Sequence, residues 1–522
     1  MIMKKLLLMM VAFVATMSVS AQDHKGWMKQ IQPVANKADL AGLHTAVAGD
    51  GSVYASTTYD KVFEFAGKNI TDPEGLLSSC IVKYDKEGNE LWAVSLLGKC
   101  TINAMAVEGD GTLYIAGKTT DEKVVVTSTD NTQTEINNPT AYDVMADAEK
   151  VSGYSAFVTK INADGVLQAL KVVSPTSAIP EDLMTLEVSA ITPTKLVIDG
   201  DKVYVSCAFG GNVAELGWEG SYLNMADWMM GQDLKSYGLF SLAKADLSGL
   251  TSVAKVQREP LVATYLEGAQ EDVQNTPDAY NFGLYNGTPV MTFIGWGDLK
   301  LTAGGVSKVF SFAVANDGTG MNEHGMVCTN GSADRSTVFH ADMHEKSYVP
   351  YNLIGGEFVN GNCIFGGTFY GNFPLKNTIT TDKNTSFVAS IDMATCGVNW
   401  AMVNNVESEA TCMIVTSEEI HAATTDAKYT LDTTTGELKD VDAQGFKDAA
   451  HFSDQYVGVI FTENDKVCVF SPKMNPSAIN EAKAGNNGAA KYYNLNGVEL
   501  NAPQKGINIV KTAEGTHTVV IK

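Results

Sequence analysis

A short phrase, made of a strand-like run, a tight turn and a second strand-like run, recurs along this chain. AVAGDGSVYAST at 46–57 returns almost unchanged as AVEGDGTLYIAG at 106–117. Alternating apolar residues flank a Gly-Asp-Gly turn whose residues tolerate positive φ, so the phrase predicts a β-hairpin. Looser versions follow at 197–211, 284–297, 358–371, 414–425 and 459–470. A hairpin repeated seven times favours a repetitive all-β architecture.

A second hairpin follows several copies of the phrase, at 80–97, 155–173, 238–256 and 385–403. Two hairpins make a four-stranded sheet, and self-similar four-stranded units at wide spacing indicate a β-propeller. Seven copies predict seven blades. Because the seventh copy is short of a third strand, a propeller of six blades remains an alternative. The segment GWMKQIQPVANK resembles LWAVSLLGKC, the fourth strand of the first unit. We therefore expect the stretch around Trp27 to supply the outer strand of the last blade.

The repeated residues also resemble a known family. The order DGxVYxxG and then FVxKxDxxGxxxW, seen in GDGTLYIAG, SAFVTKINADG and YDKEGNELW, resembles the SBBP-type β-propeller repeats of bacterial secreted proteins. The likeness covers roughly residues 41–471. It implies a propeller fold and an exported location, and it brings no shared catalytic residues.

The N-terminus predicts export. Two lysines, an apolar run from Leu6 to Val14 and the small residues Val19, Ser20 and Ala21 follow one another. This is the order of a secretory signal peptide, and we expect residues 1–21 to be removed. No other apolar stretch approaches the roughly 18 residues of a spanning helix, so no transmembrane segment is predicted. The propeller is then assigned to 22–471, and the mature protein is expected at the cell surface, outside the cell or in the periplasm.

The C-terminal tail is predicted to be a separate unit. Residues 472–488 lack periodicity and are typical of a linker, whereas 489–522 alternate like short strands with turns at Asn496-Gly497 and Glu514-Gly515. Through YNLNG, GINIV and the terminal VVIK, this small β domain resembles the C-terminal sorting domain of proteins exported by Bacteroidetes through type IX secretion. The resemblance implies outer-membrane secretion machinery as a partner.

Composition and motifs limit the function. With 37 Lys and Arg against 60 Asp and Glu, the chain carries a formal charge of -23, which disfavours nucleic acid as a partner. Dispersed cysteines such as Cys207, Cys363 and Cys468 sit in strand-like runs and are interpreted as buried thiols. The sequence contains no GxSxG, HExxH, GxxxxGK[ST] or strand-leading GxGxxG motif, and no cofactor is predicted.

Candidate ligand-binding residues come from the segments between hairpins. If the tight turns share one rim, the longer connections lie on the opposite rim, where binding is usually carried. These connections are 118–154, 174–194, 212–237, 258–281 and 316–350. The 217–238 segment is rich in aromatic residues that suit stacking on sugars or apolar ligands. The candidates are Trp218, Tyr222, Trp228 and Trp296. The alternative is that these aromatics form a lid over apolar surface.

One metal site is a further candidate. STVFHADMHEK places His340, Asp342 and His344 at alternate positions. In an extended strand all three side chains would point to one side and could bind a transition metal. The leading functional hypothesis is a non-catalytic propeller that binds glycan or protein on a loop-rich face. The alternatives are a glycan-processing enzyme with axial carboxylates and a structural envelope component.

Overall fold

The computed structural model describes most of the chain. The described residues are 28–31 and 42–521, with gaps at 76, 140, 143–150, 153, 177–186, 189, 221–222, 225–235, 260–275, 286, 313–321, 344–351, 375–377, 405, 416–417, 443–448, 453–457, 462–466, 471–490, 494–498, 501–505 and 513–514. Residues Met28–Ser471 form one compact unit, and the described strands after Ser471 belong to another.

The repeated phrase folds as a hairpin because its turn supplies its own hydrogen bonds. Asp50 Oδ1 accepts a hydrogen bond of 2.8 Å from the backbone N–H of Ser52. Gly51 has a φ of +85°, a backbone conformation that residues other than glycine rarely adopt. In the second copy Asp110 Oδ1 accepts from Thr112 N–H at 2.9 Å. The turn carboxylates are therefore used within the turns themselves, which is the ordinary chemistry of Asp beside Gly.

Seven sheets in the described part of the chain contain a four-stranded antiparallel meander, in chain order except that the fourth strand of sheet 7 comes from the N-terminal segment. Their strands are, for sheet 1, His44–Val47, Val53–Tyr59, Ser78–Tyr84 and Glu90–Leu97; for sheet 2, Cys100–Val107, Leu113–Thr119, Ser155–Ile161 and Leu167–Val173; for sheet 3, Ala190–Asp199, Lys202–Gly210, Ser236–Ala243 and Thr251–Arg258; for sheet 4, Thr276–Tyr285, Thr288–Trp296, Asn322–Asn330 and Ser336–Met343; for sheet 5, Asn352–Val359, Asn362–Pro374, Thr378–Asp392 and Gly397–Val403; for sheet 6, Ala410–Val415, Glu419–Thr424, Lys428–Asp432 and Leu438–Asp442; and for sheet 7, Ala449–Phe452, Gly458–Phe461, Val467–Phe470 and Met28–Ile31.

The sheets follow one another around a ring. The first strand of each sheet contacts the first strand of the next, and the first strand of sheet 7 contacts that of sheet 1. Each sheet therefore has its first strand innermost and its fourth strand outermost. Sheets packed face to face around a common axis are the arrangement of a β-propeller. The predicted all-β propeller fold is confirmed.

The two ends of the propeller meet in sheet 7. Met28–Ile31 pairs antiparallel with Val467–Phe470, with Gln30 opposite Cys468. An outer strand from the N-terminal segment was predicted, and the pairing of Met28–Ile31 confirms it, although Trp27 itself lies outside the described residues. The chain thus closes the ring with hydrogen bonds between segments more than 400 residues apart in sequence.

The seventh copy of the phrase was placed wrongly within its sheet. In sheets 1–6 the phrase forms the first and second strands, but at 459–470 it forms the second and third. The strand that the seventh copy lacked lies before it, at Ala449–Phe452, and pairs with Gly458–Phe461. That strand was missed because AAHF carries neither the turn nor the alternation of the phrase.

Two of the predicted long connections contain whole hairpins of the large sheets. Within 118–154, Lys123–Thr127 and Gln133–Asn137 form a hairpin that adds to the outer edge of sheet 1. Val124, Val126 and Ile136 on this hairpin are buried in the core between sheets 1 and 2. The region 316–350 likewise holds the second hairpin of sheet 4. Asp298–Ala303 and Val306–Ser311, which follow the fourth copy, extend the outer edge of sheet 3.

The remaining described elements are short. They are the hairpins Val62–Phe65 with Lys68–Thr71, Asn212–Val213 with Trp218–Glu219, and Ala141–Tyr142 with Val151–Ser152, the pair Glu187–Val188 with Leu223–Asn224, and the 3-10 helix Ala214–Leu216. Lys491–Tyr493, Glu499–Leu500, Gly506–Thr512 and Gly515–Ile521 form a separate four-stranded sheet. Among the described residues, no helix has the length and hydrophobicity needed to cross a membrane.

Neighbouring sheets are joined by side chains that bond the turns of the next sheet. The Tyr54 hydroxyl donates to the carbonyl of Gly111 at 2.9 Å. Lys83 Nζ and Trp92 Nε1 both donate to the carbonyl of Ala163, at 2.9 and 3.0 Å. These donors belong to sheet 1 and the acceptors to the two tight turns of sheet 2. Tyr54 of the repeated phrase and Lys83 and Trp92 of the second hairpin therefore hold sheet 1 against sheet 2.

We expect the closing register to be testable through the native Cys468. The variant Gln30→Cys places a second cysteine opposite it, and cross-strand partners of this kind are close enough for a disulfide. Oxidation with glutathione disulfide should give a linked peptide in non-reducing mass spectrometry and a higher melting temperature. The matched variant Lys29→Cys, which lies opposite Val469, should remain unlinked. A link in the Lys29 variant alone would place the register one residue away.

We also expect the Tyr54 hydroxyl to stabilise the contact between sheets 1 and 2. Tyr54→Phe removes the donor to a buried turn carbonyl and should lower the free energy of unfolding by about 1 kcal/mol. Tyr370→Phe is the control, because the half-buried Tyr370 has no hydroxyl hydrogen bond among the described residues. Urea denaturation of both variants measures the difference. Equal stability of the two variants would contradict a role for this bond.

Candidate functional site

An inserted hairpin stands on sheet 3, between the second and third strands. Asn212–Val213 pairs with Trp218–Glu219, and the 3-10 helix Ala214–Leu216 joins the two arms. Gly217 ends that helix in the left-handed conformation, with a φ of +61°. The hairpin turns the chain back over sheet 3 and presents Glu219 at its end. It also begins the 217–238 segment in which aromatic ligand contacts were predicted.

Trp218 fixes this hairpin to sheet 3. Its side chain is 1% exposed, and its ring centroid lies 4.8 Å from that of Phe209 and 6.3 Å from that of Phe240. Its Nε1 donates to Ser252 Oγ at 2.7 Å. Gly238 lies against the ring, and a side chain at that position would overlap it. No face of the ring is open to a ligand, so Trp218 is a packing residue, as in the alternative that these aromatics cover apolar surface.

The other predicted ligand contacts cannot be placed in the same way. Tyr222 and Trp228 lie outside the described residues. Trp296 ends the second strand of sheet 4, where its backbone pairs with Thr276, and its side chain is outside the described part. These three residues stay predictions.

A polar cleft of about 400 Å³ lies beside the inserted hairpin, on the outer part of sheet 3. Its lining residues share polar or charged side chains and come from four separate segments; they are Glu219, Lys255, Gln257, Glu259, Lys300, Thr302 and Ser307. A volume of this size lies within the range of small-ligand sites.

The alternation of a β-strand builds the floor of this cleft. Lys255 and Gln257 point to one face of the fourth strand of sheet 3, whereas Ala254 and Val256 point into the core on the other face. The added strand Asp298–Ala303 runs beside it, with Thr302 opposite Lys255 and Lys300 opposite Gln257. The cleft therefore exists because the hairpin at 298–311 widens sheet 3.

The charges in the cleft are balanced. Lys300 Nζ lies 3.2 Å from Glu259 Oε2, and both side chains are partly exposed. Burial lowers the pKa of Lys255, and Lys300 acts in the same direction while Glu219 opposes it. Thr302 Oγ1 and Ser307 Oγ share a hydrogen bond of 2.9 Å. The cleft thus offers ammonium donors, carboxylate acceptors and hydroxyl groups on three neighbouring strands and the inserted hairpin.

Gln257 is the most unusual member of the cleft. The residue is 3% exposed, yet its Oε1 is buried without a hydrogen-bond partner among the described residues. A buried unpaired acceptor costs about 1–3 kcal/mol relative to a paired one. Because this oxygen is enclosed by protein atoms, it is a local cost to stability and not a contact for a molecule in the cleft.

A smaller cavity of about 200 Å³ lies at the rim between sheets 1 and 2. It is lined by Thr58, Leu77, Lys99, Cys100, Thr101, Lys118 and Thr120. Lys118 Nζ lies 4.7 Å from the ring centroid of Tyr154, so this lysine is already engaged with an aromatic face. The rim cavity is half the volume of the cleft on sheet 3.

Burial raises the pKa of four described thiols, whereas a hydrogen bond with Cys328 lowers the pKa of Cys396. The six described cysteines, all buried and free, are Cys80, Cys100, Cys207, Cys328, Cys363 and Cys396. Burial raises the pKa of Cys363 to about 12, which keeps the thiol protonated at neutral pH. Cys207 and Cys363 are thus the buried thiols expected from their strands. The side chain of Cys468 lies outside the described part.

The candidate metal ligands are only partly located. His340 and Asp342 occupy alternate positions of the strand Ser336–Met343, opposite Gly325 and Glu323. Their side chains, and all of His344, fall outside the described residues. Within the described part, no three or more His, Cys, Asp or Glu side chains are arranged to hold a metal ion. The site at 340–344 stays a prediction.

Two solved structures resemble this chain over most of its length. BamB from Moraxella catarrhalis is 10% identical, with a TM-score of 0.34, over 85% of this chain and 100% of its own. The dihydro-heme d1 dehydrogenase NirN in complex with DHE is 12% identical, with a TM-score of 0.32, over 85% of this chain and 78% of its own. No family model and no curated protein sequence matches the chain. The propeller assignment rests on the strand pairing and the ring of contacts described above.

We expect Trp218 to act through packing and through its bond to Ser252. Trp218→Ala should lower the free energy of unfolding by roughly 3–5 kcal/mol, as for other buried aromatics. Ser252→Ala leaves Nε1 unpaired and should cost about 1–3 kcal/mol. In a Trp218→Phe background the same serine change should cost far less, because the donor is gone. A double-mutant cycle by urea denaturation measures this coupling, and additive costs would refute it.

Proposed function

We propose that this chain is an exported, non-catalytic propeller of seven blades that binds a glycan or a protein on the face where inserted segments collect. The ring of seven described sheets supports the blade number. The order of residues 1–21 supports export, and the repeated phrase supports the SBBP type. The four-stranded sheet at 491–521 is compatible with the sorting-like tail that would engage outer-membrane secretion machinery.

The cleft on sheet 3 carries the binding proposal. Its side chains project from paired strands, so their positions are fixed before a ligand arrives, which lowers the entropic cost of binding. The segment that follows Glu219 in sequence contains Tyr222 and Trp228, which are proposed as further contacts.

Binding suits the cleft better than catalysis. Glu259 is held in an ion pair with Lys300, and the second glutamate, Glu219, lies near Lys255 and favours its charged form. Each acid therefore has a basic neighbour, an arrangement that fixes hydrogen-bonding groups in place. A glycosidase would instead need one carboxyl group in an environment that keeps it protonated.

The proposal is tested with the secreted chain, residues 22–522, passed over an array of neutral glycans, acidic glycans, mucins and proteins. Retained protein and released sugar are measured together. We expect retention without release. Lys255→Met should reduce retention at least tenfold, since it removes an ammonium donor from the cleft.

Lys123→Met provides the matched control. Lys123 belongs to the added hairpin of sheet 1 and forms an exposed ion pair with Glu135 at 3.0 Å, so the same chemical change falls outside the cleft. Retention by this variant should equal that of the unmodified chain. Release of sugar would favour the enzyme alternative, and neither retention nor release would favour a structural envelope component.

A further inference from the structure

Two cysteines from different sheets meet where sheet 4 packs against sheet 5. Cys328 lies on the third strand of sheet 4, and Cys396 lies in the turn between the third and fourth strands of sheet 5. Both are buried in one apolar cluster, with exposed fractions of 0% and 4%. Their thiols share a hydrogen bond, which lowers the pKa of Cys396 and raises that of Cys328. The two sulfur atoms are therefore neighbours across the interface between the sheets.

The turn of sheet 5 has a cysteine where the equivalent turn of sheet 6 has a glycine. In DMATCG at 392–397 and in DTTTGE at 432–437, the aspartate accepts a hydrogen bond from the backbone N–H three residues on, at 2.8 and 2.9 Å. The fifth residue is Cys396 in one turn and Gly436 in the other, with φ of +54° and +71°. This left-handed conformation strains a residue that has a side chain. A glycine would therefore serve the turn better than Cys396 does.

Cys328 also stands at a position that joins sheets elsewhere in the ring. Lys83 of sheet 1 and Lys160 of sheet 2 lie two residues before the turn between the third and fourth strands. Each donates at 2.9 Å to a carbonyl in the corresponding turn of the next sheet. Cys328 has this position in sheet 4, two residues before Asn330. Its side chain is shorter than that of lysine, and it meets the next turn through the thiol of Cys396.

A second contact fixes the strand and the turn against each other beside the two thiols. The side-chain amide of Asn330 donates to the backbone carbonyl of Met393 in the sheet 5 turn. Asn330 follows Cys328 by two residues, and Met393 precedes Cys396 by three. The cysteine pair thus lies in an interface that is already aligned by a hydrogen bond between the same two segments.

We propose that Cys328 and Cys396 form a disulfide that links sheet 4 to sheet 5 in the exported protein. The inference rests on the exported location in the proposed function, because disulfides form and persist in oxidising compartments. The sulfur atoms approach to about 2.05 Å in the bond, while the strands on either side keep their pairing. The link then takes the place of the lysine contact that joins the first sheets of the ring.

The oxidant is another disulfide, either of a small molecule or of a thiol oxidoreductase. Cys396 reacts first, because it has the lower pKa and the greater exposure of the two. Its thiolate attacks the disulfide of the oxidant and releases one thiol, which leaves a mixed disulfide. Cys328 loses its proton to solvent, attacks the Cys396 sulfur and releases the second thiol. The protein gives up two protons and two electrons, and the oxidant is reduced to two thiols.

The first test is oxidation of the purified secreted chain, residues 22–522, from its reduced form with glutathione disulfide. Remaining thiols are blocked with N-ethylmaleimide, and mass spectrometry of a non-reducing digest identifies linked peptides. We expect one linked pair that contains Cys328 and Cys396. The melting temperature should rise by roughly 3–5 °C, because the link restricts the unfolded chain.

Cys396→Gly is the decisive variant. It introduces the residue that sheet 6 has in the equivalent turn, so it removes the thiol and also relieves the backbone strain. Oxidation should give no link to Cys328 and no rise in melting temperature. Cys363→Ala is the matched control, because Cys363 is a third buried thiol of the same cluster, and this variant should keep the link and the rise. No link in the unmodified chain, or a link from Cys363 to either partner, would overturn the inference.

A second test separates the disulfide from the exported location. The full chain, residues 1–522, is expressed in a bacterium, and thiols are blocked before the cells are opened. The linked form in the periplasm or the medium supports both. A fully reduced chain in those fractions overturns the inference and leaves export standing. Retention in the cytoplasm overturns the exported location, whereas a link formed in the purified chain still supports the cysteine pair.

Discussion

A four-stranded sheet has two faces, and in this protein each must be covered by a neighbouring sheet. The turn carbonyls set the position of each neighbour. Tyr54 donates to Gly111 across the first interface, and Tyr114 donates to Lys244 across the next at 3.1 Å. Lys160 Nζ donates to the carbonyl of Ala245 at 2.9 Å. The same residues of the repeated phrase therefore form a hairpin within one sheet and align that sheet with the next, so local and global structure agree.

The turn residues and the side chains that bond the next sheet can all be read from the sequence, which is why the hairpins and the ring could be predicted. A turn such as Gly-Asp-Gly acts within four residues, and its hydrogen bonds need nothing from the rest of the chain. Closure by the N-terminal segment could also be predicted, because that segment resembles another fourth strand. The inner strand Ala449–Phe452 could not be, since its four residues carry no turn and too short an alternation.

The added strands were missed for a different reason. Val124, Val125 and Val126 form an apolar β-branched run that is typical of a strand, but the sequence does not state which sheet edge it joins. The pairing of Val125 with Leu97 is a property of the assembled ring. The same holds for the strand Asp298–Ala303 on sheet 3. Each hairpin lies between the second and third strands of one sheet and pairs with the outer edge of the sheet before it, which ties adjacent sheets at their periphery as well as at their turns.

The cleft exists only because the strand Asp298–Ala303 pairs with the outer edge of sheet 3. The sequence analysis therefore selected residues near the cleft and not those that line it. Trp218 was predicted as a ligand contact because it is an aromatic residue in a polar segment. Its ring instead packs the inserted hairpin against sheet 3, and the next residue, Glu219, lines the cleft. Lys255 and Lys300 look like ordinary solvent-facing positions until the two strands pair. The one signal in the sequence was the alternation of polar residues in DLKLTA, directly after the fourth copy of the phrase.

The high negative charge of the chain also affects which ligands the cleft can attract. At a net charge of -23, the protein as a whole repels anions, and a lysine-rich cleft would be needed to overcome that repulsion. This cleft instead holds two lysines and two glutamates, and Lys300 is paired with Glu259, so its local charge offers no such attraction. A neutral ligand is insensitive to the field of the protein, and its recognition depends on short hydrogen bonds whose geometry the strands fix. The acidic surface can then keep the protein soluble without competing with the site.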